Sequence, residues 1–255
     1  MKRVDYDGRQ SSVYAKGRAI GPEAVARWMA AFEADAPDRR PLTVLDLGSG
    51  TGRFSPALAE TFGGPVYGVE PSERMRAIAE AQGVHPGVRY LAGEAAAIPL
   101  PDMSVDLVLM FLSFHHVPDH AAAAHEIARV LKPDGRVLVR STFARRIHDL
   151  WWRAFFPSSR QIEERMFPTA EETAALFAAA GLTRSKLVQV AHPFEGDLAA
   201  DVERMRLRAI STFEHMDEAE ITEGFARMDA ALAAGAIPTP PPPALLDMLV
   251  LARPQ

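Results

Sequence analysis

The feature that most constrains this chain is a short apolar run that ends in a cluster of glycines. Residues 43–47 are mostly apolar, and Gly48-Ser49-Gly50-Thr51-Gly52 follows them before a segment of helical character. Glycine permits a tight turn and lets a bound molecule approach the backbone closely. A turn between a parallel strand and the next helix lies at the carboxyl edge of an α/β sheet, where ligands bind. We therefore expect a ligand site at residues 48–52.

The spacing of these glycines disfavours two common nucleotide-binding motifs. A dinucleotide fingerprint needs glycine at position 53, where this chain has Arg53. The lysine of a phosphate-binding P-loop is also missing from the turn. A nicotinamide oxidoreductase therefore remains a weaker alternative.

An acidic residue ends the second predicted strand. Glu70 follows Gly48 by 22 positions and closes a strand predicted over residues 65–70. A carboxylate at this position can accept hydrogen bonds from ribose hydroxyls. The turn and the acid together predict a nucleoside-containing ligand. The alternative is a structural turn followed by a surface glutamate.

Strand-like and helix-like segments alternate through the first part of the chain, after a lead-in over residues 1–20 that we expect to be irregular. A helix is predicted over Pro22–Ala34. The predicted strands are 43–47, 65–70, 88–92, 106–112 and 136–142, and the helices between them are 53–62, 72–82 and 118–131. We predict a turn at residues 132–135. Such repeated units imply a mainly parallel sheet with right-handed crossovers.

The second half of the chain has a different pattern. We predict a helix over 170–180, a strand over 182–190, amphipathic helices over 197–216 and 218–234, and a final strand over 245–252. The prolines of residues 238–243 predict a stiff extended connector. The two amphipathic helices would cap a pocket, form a dimer face or simply pack a core.

Composition excludes several kinds of function. The 255 residues carry a formal net charge of -5, which argues against nucleic-acid binding, and they include no cysteine. A thiolate zinc site and a cysteine-held iron–sulfur cluster are therefore impossible. Because neither a signal peptide nor eighteen consecutive apolar residues is present, we expect a cytoplasmic protein without a membrane span.

Several segments, in order, resemble the motifs of class I S-adenosylmethionine (SAM)-dependent methyltransferases. They are residues 46–52, 69–75, 93–100, 105–106, 112–119 and 130–136. The resemblance spans residues 40–143 and is greatest for the small-molecule group that includes ubiquinone and menaquinone methyltransferases. The chain departs from the family at Val105, where phenylalanine is usual, and at Glu94, where aspartate is more frequent.

The resemblance implies a fold and a domain organisation. The fold would be a Rossmann-like, doubly wound α/β structure, with a mainly parallel seven-stranded sheet, an antiparallel last strand and a helical cap. Residues 1–255 would form a single methyltransferase domain. Its parts would be an N-terminal cap (1–40), a SAM-binding core (41–143) and a C-terminal half (144–255), with a lid at 144–168 and a helical insertion at 195–237.

The resemblance also implies the cofactor, SAM, and the residues that bind it. Gly48, Ser49 and Gly50 would contact the methionine part, and Asp46 would orient the glycine turn and its ordered water. Glu70 would hold the ribose. The remaining predicted contacts are Pro71, Met75, Glu94 and Ala95 around the adenine, the Phe111 carbonyl at the ammonium, and Tyr14 and Arg18 over the carboxylate.

Two histidines follow the fourth predicted strand. His115 is the candidate general base or acceptor-orienting residue, because histidine titrates near neutrality; the alternative is a packing role. His116 and His120 have a spacing that two metal ligands on one helix would use. Because Pro118 is expected to begin the helix, His116 lies outside it, and we predict no metal.

Aromatic residues after the fifth strand are candidates for acceptor binding. Trp151, Trp152, Phe155 and Phe156 would form an apolar lid over a hydrophobic or aromatic acceptor, and His116 is a further candidate for acceptor binding; the alternative is that the aromatic residues pack the C-terminal helices. The predicted function is methyl transfer from SAM to an O, N or C atom of a small, hydrophobic or aromatic molecule, releasing S-adenosylhomocysteine. A catalytically inactive SAM-binding or regulatory protein of the same fold is the alternative, and a homodimer is possible.

Overall fold

The core of the molecule is one sheet of seven strands. The structure is a computed structural model and describes residues 4–82 and 85–254. The strands are β1 (Leu42–Leu47), β2 (Gly63–Glu70), β3 (Val88–Ala92), β4 (Val105–Phe111), β5 (Leu131–Arg140), β6 (Thr183–His192) and β7 (Ala244–Ala252).

Helices follow most of these strands. Those that the described residues form are α1 (Arg9–Gly17), α2 (Pro22–Glu33), α3 (Ser55–Phe62), α4 (Glu73–Ala81), α5 (His120–Val130), α6 (Ser159–Met166), α7 (Ala170–Ala179), α8 (Leu198–Arg206) and α9 (Glu218–Ala233). Short 3₁₀ turns lie at Phe114–His116, Trp151–Phe155 and Ser211–His215. In the described part of the chain, no helix has the length and apolar character needed to cross a membrane.

The strand order is β3-β2-β1-β4-β5-β7-β6. Strands β1 to β5 pair in parallel, and β7 is antiparallel to both β5 and β6. The predicted mainly parallel, seven-stranded sheet with an antiparallel last strand is thus confirmed. Because the chain leaves β1 toward β2 on one side and later returns to β4 on the other, a crevice opens where β1 and β4 end.

Apolar side chains cover both faces of the sheet. Trp28 and Phe32 of α2 pack with α3 on one face, and Ile127 of α5 packs with Phe177 of α7 on the other. Helices α6, α8 and α9 and the turns at 151–155 and 211–215 share a separate apolar cluster. We call this group of elements the helical cap.

Two predictions about backbone structure are wrong, and they share a cause. The expected irregular lead-in contains α1, and the single helix expected over 197–216 ends at Arg206. Arg208 then adopts a left-handed φ of 50°. The carbonyls of Leu207 and Arg208 accept hydrogen bonds from the side chains of Arg9 and Gln10 at 3.1 Å and 3.0 Å. Contacts distant in sequence therefore override the local preference of both segments.

The segment at residues 132–135 is also different from the expected turn. Strand β5 begins at Leu131, before this segment, and its pairing with β4 shifts register between Leu131 and Arg136. The turn-forming residues thus sit in an irregularity of the sheet. The strand continues beyond them to Arg140.

The helical cap depends on a close approach at Gly224 of α9. A Cβ atom at this position would lie 2.3 Å from the ring of Phe156 and 2.8 Å from the carbonyl of Phe155. We expect Gly224→Val to lower the free energy of unfolding by about 2 kcal/mol, because overpacking a filled core forces its neighbours to move. Urea denaturation measures this, with Thr222→Val on the exposed side of the same helix as the control. Equal stability of the two variants would contradict the packing described.

Candidate active site

The glycine turn joins β1 to α3 in a conformation that requires glycine. Gly48 and Gly50 have φ values of 73° and 57°, in the left-handed region that other residues rarely adopt. A Cβ atom on Gly48 would lie 2.5 Å from the Cβ of Ser113. The Gly48 N–H donates to the carbonyl of Val69 at 2.7 Å. The turn is therefore fixed against the end of β2 and against the loop after β4.

Glu70 connects the glycine turn to the start of α4. Its Oε2 accepts a hydrogen bond from the Gly50 N–H at 2.9 Å, and its Oε1 accepts one from the Ser72 N–H at 3.0 Å. Burial raises the pKa of this carboxyl, while the two hydrogen bonds oppose the shift. An ionised carboxylate offers roughly four acceptor positions, so the fixed side chain keeps room for hydroxyl donors.

A cavity of about 500 Å³ opens beside this carboxylate. We call it the glycine-loop cavity. Its wall includes nine of the predicted cofactor-binding residues, namely Tyr14, Gly48, Gly50, Glu70, Pro71, Met75, Glu94, Ala95 and Phe111. Most of the twelve predicted cofactor-binding residues therefore lie on one continuous surface.

Three predicted cofactor residues lie elsewhere. Asp46 is buried behind the turn, where its Oδ2 accepts from the Ser55 hydroxyl at 2.7 Å, because strand alternation directs it toward α3. Burial raises the pKa of Asp46 to about 6. Ser49 is also buried, and its hydroxyl has no partner among the described residues. Arg18 lines a second cavity.

The second cavity, of about 330 Å³, lies between the sheet and the helical cap. We call it the cap cavity. Aromatic and charged side chains form much of its wall, including Trp28, Phe111, Arg140, His115, Trp151 and Trp152. Both cavities are lined by Tyr6, Tyr14, Phe111, Leu112 and His116. The two spaces therefore adjoin along these shared residues.

The two candidate histidines lie at this junction, in different environments. Both ring nitrogens of His115 are buried and have no hydrogen-bond partner in the described part of the protein. Burial, followed by the charges of His116 and Arg140, lowers the pKa of His115 well below 6.5. His116 Nε2 lies 2.7 Å from the Tyr6 hydroxyl, whose pKa is raised by burial. His115 is therefore neutral near pH 7.

The two histidines that were weighed as metal ligands do not converge. The His120 Nε2 lies 3.0 Å from the carbonyl of Phe114, and its ring stacks on that of Phe114. His116 instead contacts Tyr6. Within residues 4–82 and 85–254, no three histidine, aspartate or glutamate side chains are grouped as metal ligands.

The aromatic segment after β5 divides between two roles. Trp151 and Trp152 line the cap cavity, as does His116. Phe155 packs against Trp151, with ring centroids 6.4 Å apart, and Phe156 is buried among Trp152, Phe213 and Phe225. The expected lid role is thus corrected for Phe155 and Phe156, because their rings pack against neighbouring aromatic side chains and do not line the cap cavity.

Sequence reasoning missed three side chains that line the cavities. Tyr6 belongs to the lead-in, and the one signal for it is an aromatic residue in a polar stretch. Arg140 ends the apolar run Val137-Leu138-Val139, where a charge is unusual. Arg53 departs from a dinucleotide-binding motif, and the sequence gives no sign that its side chain lines the cap cavity.

Comparison with known proteins identifies the family. Residues 45–139 match the model of a methyltransferase domain. The demethylmenaquinone methyltransferase of Bacillus licheniformis is 34% identical over 180 residues, which cover 62% of this chain and 76% of the relative. The chain belongs to the class I SAM-dependent methyltransferases. Its methyl donor is SAM.

Other relatives of this methyltransferase agree with that assignment. A probable tocopherol O-methyltransferase of rice is 36% identical over 109 residues, covering 41% of this chain and 30% of the relative. The crystal structure of a methyltransferase from an antibiotic biosynthesis pathway of Anabaena variabilis superposes with a TM-score of 0.73. That match is 23% identical and covers 90% of this chain and 97% of the other, so it supports the fold alone.

The residues of the glycine-loop cavity suit this cofactor. SAM has a ribose with two hydroxyls, and Glu70 presents a carboxylate whose orientation is already fixed by Gly50 and Ser72. Met75 and Ala95 provide apolar wall for a purine ring. The cavity size is also within the usual range for small-molecule sites, about 300–1,000 Å³.

The fixed carboxylate gives a direct test of cofactor binding. Glu70→Gln cannot accept from both backbone N–H groups and a ribose, so we expect it to weaken S-adenosylhomocysteine binding by about 1.5–3 kcal/mol. Isothermal titration calorimetry measures the affinity, and Glu73→Gln, an exposed neighbour in the first turn of α4, is the control. An affinity equal to that of the control would mean that the nucleoside binds elsewhere.

Proposed function

We propose that this methyltransferase methylates an O, N or C atom of a small, largely apolar or aromatic acceptor bound in the cap cavity. The observation that carries the proposal is the shared wall of the two cavities. A methyl donor in one cavity and an acceptor in the other would meet beside Tyr6, Phe111 and His116. Residues 1–255 would serve this reaction as one domain.

The proposed cofactor contacts follow the glycine-loop cavity from one end to the other. Glu70 binds the ribose hydroxyls, and Met75, Glu94 and Ala95 surround the adenine. Tyr14 and Phe111 lie where the two cavities adjoin. The methionine end of the cofactor would then lie beside the junction, and Arg18 would bind its carboxylate.

The chain's contribution to catalysis is alignment and exclusion of water. The cofactor supplies an activated methyl group on a sulfonium, so the protein needs to hold donor and acceptor in line. Such positioning can lower a barrier by about 7–11 kcal/mol. Tyr6, the loop after β4 and the helical cap together enclose the junction on several sides.

His115 is the proposed base for acceptors that must lose a proton. It lines the cap cavity, is neutral, and has two buried ring nitrogens without partners among the described residues. A ring nitrogen without a partner in the cavity wall could accept a proton from an O–H or N–H group of the acceptor. His116 contacts the Tyr6 hydroxyl and would hold Tyr6 in place where the two cavities adjoin.

The walls of the cap cavity support an apolar acceptor. Trp28, Trp151 and Phe194 are among its residues, and aromatic side chains commonly form part of the wall in sites for hydrophobic small molecules. The curated relatives named for demethylmenaquinone and tocopherol point to small aromatic molecules of the same character.

Replacing His115 tests its role. If it removes the acceptor proton, His115→Gln should lower kcat by about 10²–10⁴-fold and leave S-adenosylhomocysteine affinity unchanged. His125→Gln, an exposed histidine on α5, is the matched control. Full turnover by His115→Gln would show that the base role is wrong.

The pH dependence provides an independent check on His115. Its lowered pKa keeps the neutral, proton-accepting form dominant down to pH values below 6.5. We therefore expect kcat to stay level from pH 8 to 6.5 and to fall only at lower pH, and the His115→Gln variant should lose this decline at acid pH.

The lowered pKa of His115 also makes the stability of the fold depend on pH. Below pH 6.5 the unfolded chain binds a proton at this histidine that the folded protein does not bind. The free energy of unfolding should accordingly fall as pH drops below 6.5.

An acceptor screen separates this function from an inactive SAM-binding protein. Purified protein with SAM and a panel of phenols, quinols, amines and carbon acids should release S-adenosylhomocysteine with at least one class. Tight S-adenosylhomocysteine binding without release in the presence of any acceptor would favour a regulatory protein of the same fold.

A further inference from the structure

The cap cavity contains arginines that no carboxylate neutralises. Each acidic residue in its described wall already pairs with an arginine. The pairs are Asp149–Arg160, Glu163–Arg153, Glu195–Arg27 and Asp201–Arg204. Arg18, Arg53 and Arg140 line the same cavity, and within the described residues none of the three has an acidic partner. The cavity therefore has an excess of positive charge.

Arg140 is the most deeply placed of these three. It is 6% exposed, and its Nε is buried without a hydrogen-bond acceptor in the described structure. The guanidinium lies 5.6 Å from the ring centre of Trp28 and 5.2 Å from that of Phe111. These two rings hold the side chain in place but offer no lone pair in the plane of the guanidinium.

Nearby carboxylates do not relieve this charge. Asp247 on the adjacent strand accepts hydrogen bonds from Arg146 at 2.8 Å and 3.0 Å and also contacts His148. Glu163 accepts from Arg153 at 2.6 Å and from the Thr212 hydroxyl at 2.8 Å. The carboxylates of Asp247 and Glu163 are thus already paired, and they attract Arg140 only at long range.

Burial and the neighbouring charges of Arg18 and Arg53 lower the pKa of Arg140. A guanidinium nevertheless stays protonated at physiological pH. The protein therefore keeps a desolvated cation, which is unfavourable unless an anion joins it. Natural proteins retain such groups where a ligand supplies the missing partner.

We propose that the methyl acceptor carries an oxyanion, a carboxylate or a phosphate, that binds Arg140 in the cap cavity. This inference rests on the proposed function, which places the acceptor there. A guanidinium presents paired N–H donors that match either oxyanion. The aromatic walls near Trp151 and Phe194 receive the apolar body, so the acceptor is an amphipathic acid.

The other two arginines have different surroundings. Arg53 donates from Nη1 to the carbonyl of Arg18 at 2.8 Å and lies over the rings of Tyr14, Phe54 and Phe111. Arg18 is the residue proposed for the cofactor carboxylate. Arg140 is thus the one assigned to the acceptor, and the test has to distinguish these two anions.

The first measurement needs no knowledge of the acceptor. Arg140→Met removes the unpaired charge but keeps a long apolar side chain against Trp28 and Phe111. We expect the unfolding midpoint of the protein without ligand to rise by about 2–4 °C. Arg136→Met, on the same strand but outside both cavities, is the matched control. A lower midpoint for Arg140→Met than for the control would assign Arg140 a structural role and overturn the inference.

The second measurement asks what the cavity binds, by calorimetry with saturating S-adenosylhomocysteine. The probes are 2-naphthoate, 2-naphthyl phosphate and the neutral 2-naphthamide. We expect one or both anions to bind at least 10-fold more tightly than the amide. The relative affinities of the carboxylate and the phosphate then identify which oxyanion the site prefers. Arg140→Met should abolish that preference and leave S-adenosylhomocysteine affinity within about 2-fold. Equal binding of anion and amide, or no binding of either anion, would overturn the inference.

Three further outcomes are distinguishable. If Arg140→Met weakens S-adenosylhomocysteine instead, Arg140 holds the cofactor carboxylate and the inference fails. If the acceptor screen finds neutral molecules that the unsubstituted protein and Arg140→Met methylate equally, the proposed function holds and the inference of an anionic acceptor fails. If the anions bind through Arg140 but no acceptor is methylated, the anion site stands and the proposed function fails.

Discussion

The arrangement of the site depends on the carboxylate of Glu70. By accepting from the Gly50 and Ser72 N–H groups, it joins the turn after β1 to the end of β2. A buried carboxylate would be unfavourable without such donors, and the backbone groups it satisfies would lack partners without it. The geometry of the cavity wall is therefore set before any ligand arrives, and binding needs little reorganisation.

The two cavities differ in electrostatic character, and this difference favours one orientation of the bound ligands. A carboxylate stands at the end where a ribose would bind, and uncompensated guanidinium groups stand in the cap cavity. The Tyr6 hydroxyl and the His116 ring are in contact between the two cavities. An anionic acceptor would thus be attracted to the cap cavity and away from Glu70. Charge separation of this kind contributes to orientation as well as to affinity.

Sequence patterns were informative where the decisive interaction is local. The apolar runs that became β1 to β4, the glycine turn and Glu70 at a strand end follow from periodicity and turn chemistry over a few residues. Tyr6 could not be assigned in this way, since its partner His116 is distant in the chain. The same holds for α1 and for the early end of α8, which Arg9 and Gln10 tie together. The meaning of Arg140 depends on which carboxylates are already paired, and this is a property of the packed cap.

A crystal structure with S-adenosylhomocysteine tests the account most directly. It should show both ribose hydroxyls within hydrogen-bond distance of Glu70 and the sulfur directed past Phe111 toward the cap cavity. A nucleoside bound in the cap cavity, or a sulfur that faces away from the Tyr6–His116 contact, would contradict the account.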